Sequence, residues 1–148
     1  ICPFLTLLSC SWFKDDAPPP PPEPTRVVIE LEAAGDINRD PQGRPSPLVL
    51  RVYQLRAYGA FEKAAFLALY ENDAQALGAD LIQKEEIVLK PSEKRTVFYE
   101  PGDDARAIGL FALFRNYGLS QWRAGASVQP NKTTVIRAFV SDREITIR

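Results

Sequence analysis

The sequence of 148 residues contains no histidine and no methionine, and its only cysteines are Cys2 and Cys10. Because histidine is the commonest general base and the commonest metal ligand, its absence removes most acid–base, nucleophilic and metal-dependent mechanisms. Two cysteines near one end cannot build a disulfide framework for the rest of the chain. We therefore predict no catalytic residues, no cofactor and no metal site.

The chain also lacks an excess of either charge and any long apolar run. Its 18 basic residues are balanced by 19 acidic ones. Such a surface lacks the positive electrostatic potential that attracts the phosphates of nucleic acid, so we predict no nucleic-acid partner. No run reaches the roughly 18 apolar residues of a membrane-spanning helix, so attachment to a membrane would need another device.

Carboxylates are the main catalytic groups that the sequence retains. The candidates are Asp103 with Asp104, and Asp36 with Asp40. Adjacent carboxylates after a Pro-Gly pair are typical of a solvated turn, so we interpret Asp103 and Asp104 as structural. The composition favours a protein that binds over one that catalyses.

The most informative motif is Leu7-Leu8-Ser9-Cys10, which precedes a polar, proline-dense run. An apolar segment that ends in a small residue and then cysteine resembles the lipobox of bacterial lipoproteins, whose cysteine becomes the first mature residue and carries acyl chains. We therefore predict that residues 1–9 end a lipoprotein signal segment and that Cys10 is the lipid attachment site. The alternative is a hydrophobic terminus with an incidental cysteine.

Residues 10–24 are interpreted as the lipidated cysteine followed by a tether. Five consecutive prolines occupy positions 18–22, and a sixth is Pro24. Proline favours the polyproline II conformation, which rises about 3.1 Å per residue and gives a semi-rigid spacer of about 30 Å over ten residues. This spacer would hold the following domain clear of the lipid head groups. The alternative is a ligand for a proline-recognising groove.

The remaining residues, 25–148, predict one β-sandwich domain. Residues 25–34 alternate as a half-buried strand does, and residues 48–55 are apolar on both faces, as in a central strand. Six further strands are predicted at residues 85–89, 95–99, 107–114, 122–129, 133–140 and 144–148, the first two forming a hairpin. Helical spacing predicts a helix over 60–70 and a second over 73–77 that Asn72 caps. The fold class is therefore mostly β, with two sheets, about eight strands and a short helical insertion.

Three features of this domain bear on function. Residues 35–47 form a long loop whose prolines argue for a fixed shape. Arg51 lies within an apolar strand, so we predict a structural ion pair there. Trp122 is interpreted as a core anchor, with a cation–π or partner contact as the alternative.

The order of these features resembles a known family. Asn38-x-Asp40 and Gly43-Arg44-Pro45-Ser46-Pro47 run into Leu48-Val49-Leu50-Arg51-Val52-Tyr53-Gln54-Leu55. With the lipobox, the tether and Gln121-Trp122-Arg123, this block is similar to the outer-membrane lipoprotein of the bacterial type VI secretion system, the TssJ or SciN family. Leu8 departs from the usual lipobox because it is bulky.

The resemblance implies a transthyretin-like β-sandwich that is tethered to the bacterial outer membrane and faces the periplasm. It implies a structural scaffold without enzymatic activity, which binds the periplasmic domain of the inner-membrane subunit TssM. On this basis we expect the loop of residues 35–47 to form part of the partner surface. The candidate contacts are Ile37, Asn38, Arg39, Asp40 and Arg44.

The alternative function is a lipid-anchored β-sandwich module that binds a small ligand or glycan. It would need a concave apolar pocket, with Trp122 and Tyr117 as the obvious aromatic platform. Burial of both rings without a cavity would exclude it.

Overall fold

The computed structural model describes residues 17–148, which form a β-sandwich with a helical layer. The strands are β1 (Arg26–Ala33), β2 (Leu48–Leu55), β3 (Leu81–Leu89), β4 (Lys94–Tyr99), β5 (Ala107–Ala112), β6 (Arg123–Ser127), β7 (Thr133–Val140) and β8 (Ile145–Ile147). The helices are α1 (Gly59–Lys63) and α2 (Phe66–Leu77), and short 3₁₀ turns span Gly78–Asp80 and Tyr117–Leu119. The predicted fold class is confirmed, and the predicted lipid attachment site Cys10 lies outside the described residues.

The eight strands form two sheets of four. Sheet A has the order β4-β1-β7-β8 and sheet B has the order β3-β2-β5-β6. β1 pairs in parallel with β7 and antiparallel with β4, whereas β2 is antiparallel to both β3 and β5. β2 is therefore a central strand, as its two apolar faces predict.

The hairpin predicted from β3 and β4 is wrong. These strands follow one another in sequence, but β3 pairs with β2 and β4 pairs with β1. The connection turns through Pro91 and Ser92, and Ser92 has a φ of 63° and donates its N–H to the Ala34 carbonyl at 3.1 Å. The corner therefore passes from one sheet to the other, because β3 pairs with the interior strand β2 of sheet B and β4 pairs with the interior strand β1 of sheet A.

The main core lies between the sheets. Alternate residues of β1, such as Ile29 and Leu31, are buried in one cluster with Leu50 of β2 and Leu110 of β5. On the other face of β1 the charged residues are exposed and Val28 is half-buried. This alternation is what a sheet with one covered face requires, and burial of the apolar set stabilises the sandwich at roughly 1.5–3 kcal/mol per large side chain.

Sheet B is covered on its outer face as well. Tyr53 and Phe111 point away from the main core and are buried in a second cluster with Phe61 of α1 and Leu69 of α2. The Tyr53 ring lies 5.6 Å from the ring of Phe61 and 6.5 Å from that of Phe111, measured between centroids. The helical insertion is therefore a third layer that lies against sheet B.

The helix predicted over residues 60–70 is broken. Ala64 and Ala65 have extended ψ values of 139° and 153°, so α1 ends before them and α2 begins after them. The Arg123 guanidinium on β6 donates hydrogen bonds to the carbonyl oxygens of Phe61 and Ala64. These bonds satisfy carbonyls that a continuing helix would use internally, so a contact distant in sequence overrides the local pattern.

The predicted cap at Asn72 is confirmed, because α2 is kinked at this residue and a second helical segment follows it. Asn72 leaves the helical conformation with a φ of −155°, and its Oδ1 accepts the Gln75 N–H at 3.2 Å. Gly78, with a φ of 56°, follows the last turn of α2. None of the helices in residues 17–148 has the length and apolar character that crossing a membrane requires.

The contact between sheet B and α1 leaves no room for a side chain at Gly109 of β5. A Cβ there would lie 2.9 Å from a ring carbon of Phe61, which is fully buried and has no space to move. We expect Gly109→Ala to lower the free energy of unfolding by about 1–3 kcal/mol, measured by urea unfolding.

Gly102 provides the matched control for this substitution. No atom lies within 4 Å of the position that its Cβ would take, so Gly102→Ala should change the free energy of unfolding by no more than about 0.5 kcal/mol. Equal unfolding midpoints for the two variants would contradict the packing of α1 on sheet B.

Candidate functional site

The loop that the sequence singles out lies at one end of the sandwich. β1 leads from the proline-rich residues 17–24 to this loop, and β2 leads away from it. Because β7 is parallel to β1 and β5 is antiparallel to β2, the chain leaves β7 and β5 at the same end. We call the end formed by residues 34–47, 113–122 and 141–144 the distal end, since the proline-rich residues 17–24 precede the opposite end of β1.

Asn38 connects all three segments of the distal end. Its backbone has a φ of 46°, a left-handed conformation that asparagine tolerates better than most residues. The side chain donates to the Pro47 carbonyl at 3.0 Å and accepts the Arg115 N–H at 2.9 Å, and its own N–H donates to the Asp142 carbonyl at 3.3 Å. The neighbouring Ile37 is fully buried in the main core. These two residues therefore fix the position of the loop.

Asp40 fixes the shape of the loop. Its Oδ1 accepts the backbone N–H groups of Gln42 and Arg44, both at 2.9 Å, and its Oδ2 accepts the Arg44 side chain at 2.8 Å. The hydrogen bond from the Arg44 N–H is the main cause that lowers the pKa of Asp40. The turn closes at Gly43, whose φ of 77° suits glycine.

Two of the five predicted contact residues present their side chains to solvent. The side chains of Arg39 and Arg44 are 49% and 74% exposed. Ile37 and Asn38 are buried and Asp40 is mostly covered, so these three support the loop and offer little side-chain surface to a partner. The structure thus divides the predicted set into residues that build the loop and residues that it displays.

A polar cleft of about 330 Å³ lies between the distal segments. Arg39 and Arg143 both approach the Asp142 carboxylate, with N to O distances of 4.0 and 3.5 Å, and Arg39 also contacts Asp36 at 3.1 Å. The buried ring of Phe114 is part of the cleft wall. This arrangement offers charged groups of both signs on a fixed backbone, which suits recognition of a protein surface.

The acidic residues considered for catalysis lie in an exposed turn or form ion pairs with arginines. Asp103 and Asp104 lie in an exposed turn, as predicted. Asp36 and Asp40 are engaged by arginines of their own loop. Within residues 17–148 no three His, Cys, Asp or Glu side chains are grouped to hold a metal ion.

A buried ionic cluster joins α2 to sheet B and confirms the ion pair predicted for Arg51. Asp73 of α2 is 4% exposed and accepts Lys84 Nζ at 2.8 Å, the Tyr53 hydroxyl at 3.0 Å and Arg51 at 3.4 Å. Arg51 also contacts Glu86 at 2.7 Å. The cluster was not predicted as a whole, because Asp73 is separated from its partners in sequence.

The two aromatic rings proposed as a ligand platform, Trp122 and Tyr117, pack against other aromatic residues of the domain. The ring of Trp122 meets the edges of Phe66 and Phe111 at 5.3 and 5.4 Å, and the Arg123 guanidinium lies 4.3 Å from the Trp122 ring centroid. The Tyr117 ring stacks on Phe66 at 4.0 Å. Trp122 is therefore both a core anchor and a cation–π partner, and Tyr117 is not part of the shallow cleft that Trp122 lines.

Comparison with known proteins places this geometry in a family. A family model described as type VI secretion lipoprotein (VasD, EvfM, TssJ) matches residues 25–148. The crystal structure of the type VI secretion lipoprotein TssJ1 from Pseudomonas aeruginosa is 34% identical, covers 84% of this chain and 95% of its own, and superposes with a TM-score of 0.80. The chain belongs to the type VI secretion lipoprotein family. The resemblance drawn from the loop and strand block is confirmed.

Two further structures share the fold of this type VI secretion lipoprotein. Serratia marcescens Lip, a membrane-bound component of the type VI secretion system, has 21% identity, 84% coverage of this chain and 96% of its own, and a TM-score of 0.78. A chain of the type VI membrane complex has 25% identity, 85% and 99% coverage, and a TM-score of 0.75. No curated protein sequence matched the chain. The family is one of membrane-anchored structural lipoproteins and not an enzyme family.

The ionic cluster at Asp73 generates a stability prediction. Asp73→Asn leaves Lys84 without its carboxylate partner and leaves Arg51 paired with Glu86 alone. We therefore expect it to lower the free energy of unfolding at pH 7 by about 2–3 kcal/mol, less than for a fully buried pair because Lys84 is half exposed. Urea unfolding measures this change. Glu71→Gln, on the exposed side of the same helix, is the control and should be nearly neutral.

The same cluster predicts that the free energy of unfolding depends on pH. Desolvation alone would raise the pKa of Asp73, but hydrogen bonds from Lys84 and Tyr53 and the charges of Lys84 and Arg51 lower it below its ordinary value of 3.8. The folded state therefore gains stability from ionised Asp73 above about pH 4, and this gain is lost as the pH falls through the lowered pKa. The stability difference between wild type and Asp73→Asn should shrink as the pH falls below about 4 and through the lowered pKa of Asp73, and a constant difference would contradict the cluster as described.

Proposed function

We propose that this type VI secretion lipoprotein is anchored in the outer membrane through acylated Cys10 and binds the periplasmic domain of TssM as a structural scaffold without catalytic activity. Family membership supports the scaffold role. The observation that carries the proposal is the fixed loop at the distal end, which displays Arg39 and Arg44 on the side of the domain away from the tether.

The attachment of the tether supports this orientation. The Asn131 side chain donates to the Glu23 carbonyl at 2.8 Å, and its backbone N–H donates to the Thr25 hydroxyl at 2.9 Å. β1 then spans eight residues, or about 26 Å at 3.3 Å per residue, before the distal end begins. A domain held through Cys10 would therefore present the distal end to the periplasm, where a subunit from the inner membrane could reach it.

The rigidity of the loop also supports a binding role. Asn38 and Asp40 together make five hydrogen bonds through their side chains within the distal end. A loop that is already ordered loses little conformational entropy when a partner binds. Little of the binding energy from the exposed arginines is then needed to order the loop, so most of it contributes to affinity.

The loop assignment predicts a loss of partner affinity. Arg39→Ala with Arg44→Ala should weaken binding of the purified domain to the TssM periplasmic domain by about tenfold or more, because interface arginines often dominate binding energy. Isothermal titration measures the affinity, and the melting temperature should stay close to that of the wild type because both side chains are exposed.

A matched pair of arginines lies at the other end of the sandwich. Arg56 and Arg106 are exposed at the end of β2 and before β5. Arg56→Ala with Arg106→Ala removes the same charge and should leave the affinity within about twofold, since peripheral contacts contribute little. Equal weakening by both pairs would indicate a general charge effect and reject the loop as the contact surface.

The anchor assignment predicts a change of location. In bacteria that produce the native precursor, Cys10→Ser should move the protein from the outer-membrane fraction to the soluble periplasmic fraction, because no acyl chain can be attached. Cys2→Ser is the control, since Cys2 lies in the segment predicted to be removed. Mass spectrometry of the amino-terminal peptide checks the acylation, and membrane retention of Cys10→Ser would contradict the assignment.

A further inference from the structure

An apolar patch lies on the helical flank beside the distal end. Leu119 is 67% exposed and Tyr70 is 52% exposed, and Leu67 and Tyr117 are also exposed. Leu67 and Tyr70 are three residues apart on α2 and so share one helix face. Phe66 joins the two parts of the patch, because its ring stacks on Tyr117 at 4.0 Å and lies 6.2 Å from Tyr70. Contiguous exposed apolar side chains of this kind mark interaction sites more often than isolated ones do.

The patch is rigid. The Phe66 ring also packs edge-on against Phe111 at 5.0 Å and Trp122 at 5.3 Å, and both of these residues belong to the packed layer on sheet B. The rings of Phe66 and Tyr117 are stacked nearly parallel, with 4° between their planes. Aromatic side chains held in this way supply large contact areas at low entropic cost, which is the usual character of interface hot spots.

The patch is continuous with the loop of residues 35–47. Arg115, which donates its backbone N–H to Asn38 Oδ1 at 2.9 Å, lies two residues before Tyr117. Asn116 and Ser120, on either side of the 3₁₀ turn that contains Tyr117 and Leu119, line the cleft that Arg39 also lines. One partner that covers Arg39 would therefore reach the patch without crossing another element.

We propose that the patch of Phe66, Leu67, Tyr70, Tyr117 and Leu119 is the apolar part of the same partner surface and receives an apolar segment of the TssM periplasmic domain. This inference rests on the proposed function. The tether position argues against a lipid occupant, because a domain held through the opposite end of β1 turns the distal segments away from the membrane. The arginines of the loop would supply charge complementarity and the patch would supply buried apolar area, which is the division found in stable interfaces.

The test compares purified variants for binding to the TssM periplasmic domain. Tyr70→Ser with Leu119→Ser should weaken binding by about tenfold or more, as expected for hot-spot side chains. The control is Phe98→Ser with Val135→Ser, which removes two exposed apolar side chains from sheet A and should leave the affinity within about twofold. If the double variant lowers the melting temperature, Leu119→Ser alone serves, because Leu119 is the most exposed residue of the patch.

Each result separates this inference from the proposed function. Weakening by the patch variant but not by the control supports the inference. Unchanged affinity of the patch variant, while Arg39→Ala with Arg44→Ala weakens binding, overturns the inference alone. A wild-type protein that does not bind the TssM periplasmic domain overturns both. A wild-type dimer in sedimentation that the patch variant abolishes, with partner affinity unchanged, assigns the patch to a second copy of the chain and also overturns the inference.

Discussion

The structure depends on one constraint, which is that sheet B carries large apolar side chains on both faces. The inner set, with Leu50 and Leu110, is covered by sheet A, and the outer set, with Tyr53 and Phe111, needs a separate cover. The chain supplies it with the two helices inserted between β2 and β3. Burying the outer set brings Asp73 against Arg51 and Lys84 and brings Phe66 against Trp122, so the ionic cluster and the aromatic layer both result from this third layer.

The shape of the distal end depends mainly on hydrogen bonds between polar groups, in contrast to the apolar packing of sheet B. Asn38 bonds to two other backbone segments besides its own, and Asp40 closes the turn that carries Arg44. Buried polar groups of this kind cost stability when unpaired, but here each oxygen and nitrogen described has a partner. The result is a loop whose shape is fixed by its own hydrogen bonds, which would suit the partner surface proposed for it.

The sequence was most informative where the pattern is local. Alternation in β1 and the two-sided apolar pattern of β2 are direct consequences of burial, so both strands were predicted within one residue of their ends, and the cap at Asn72 was equally readable. Features that depend on contacts between residues distant in sequence could not be predicted from the sequence pattern. The break at Ala64 depends on Arg123, and β3 is longer than predicted because its charged residues lie on an edge strand where Lys84 meets Asp73. The burial of Ile37 and Asn38 and the stacking of Phe66 on Tyr117 likewise depend on how separate loops meet.

The path of β1 has a mechanical consequence. The proline-rich segment precedes its first residue and the distal end begins after its last, so under the proposed function a load between membrane and partner would run along this strand. The backbone hydrogen bonds to β4 on one side and β7 on the other cross the direction of that load. A load along β1 would have to break these hydrogen bonds together and not one after another, which makes this interior strand of sheet A suited to carry tension through the domain.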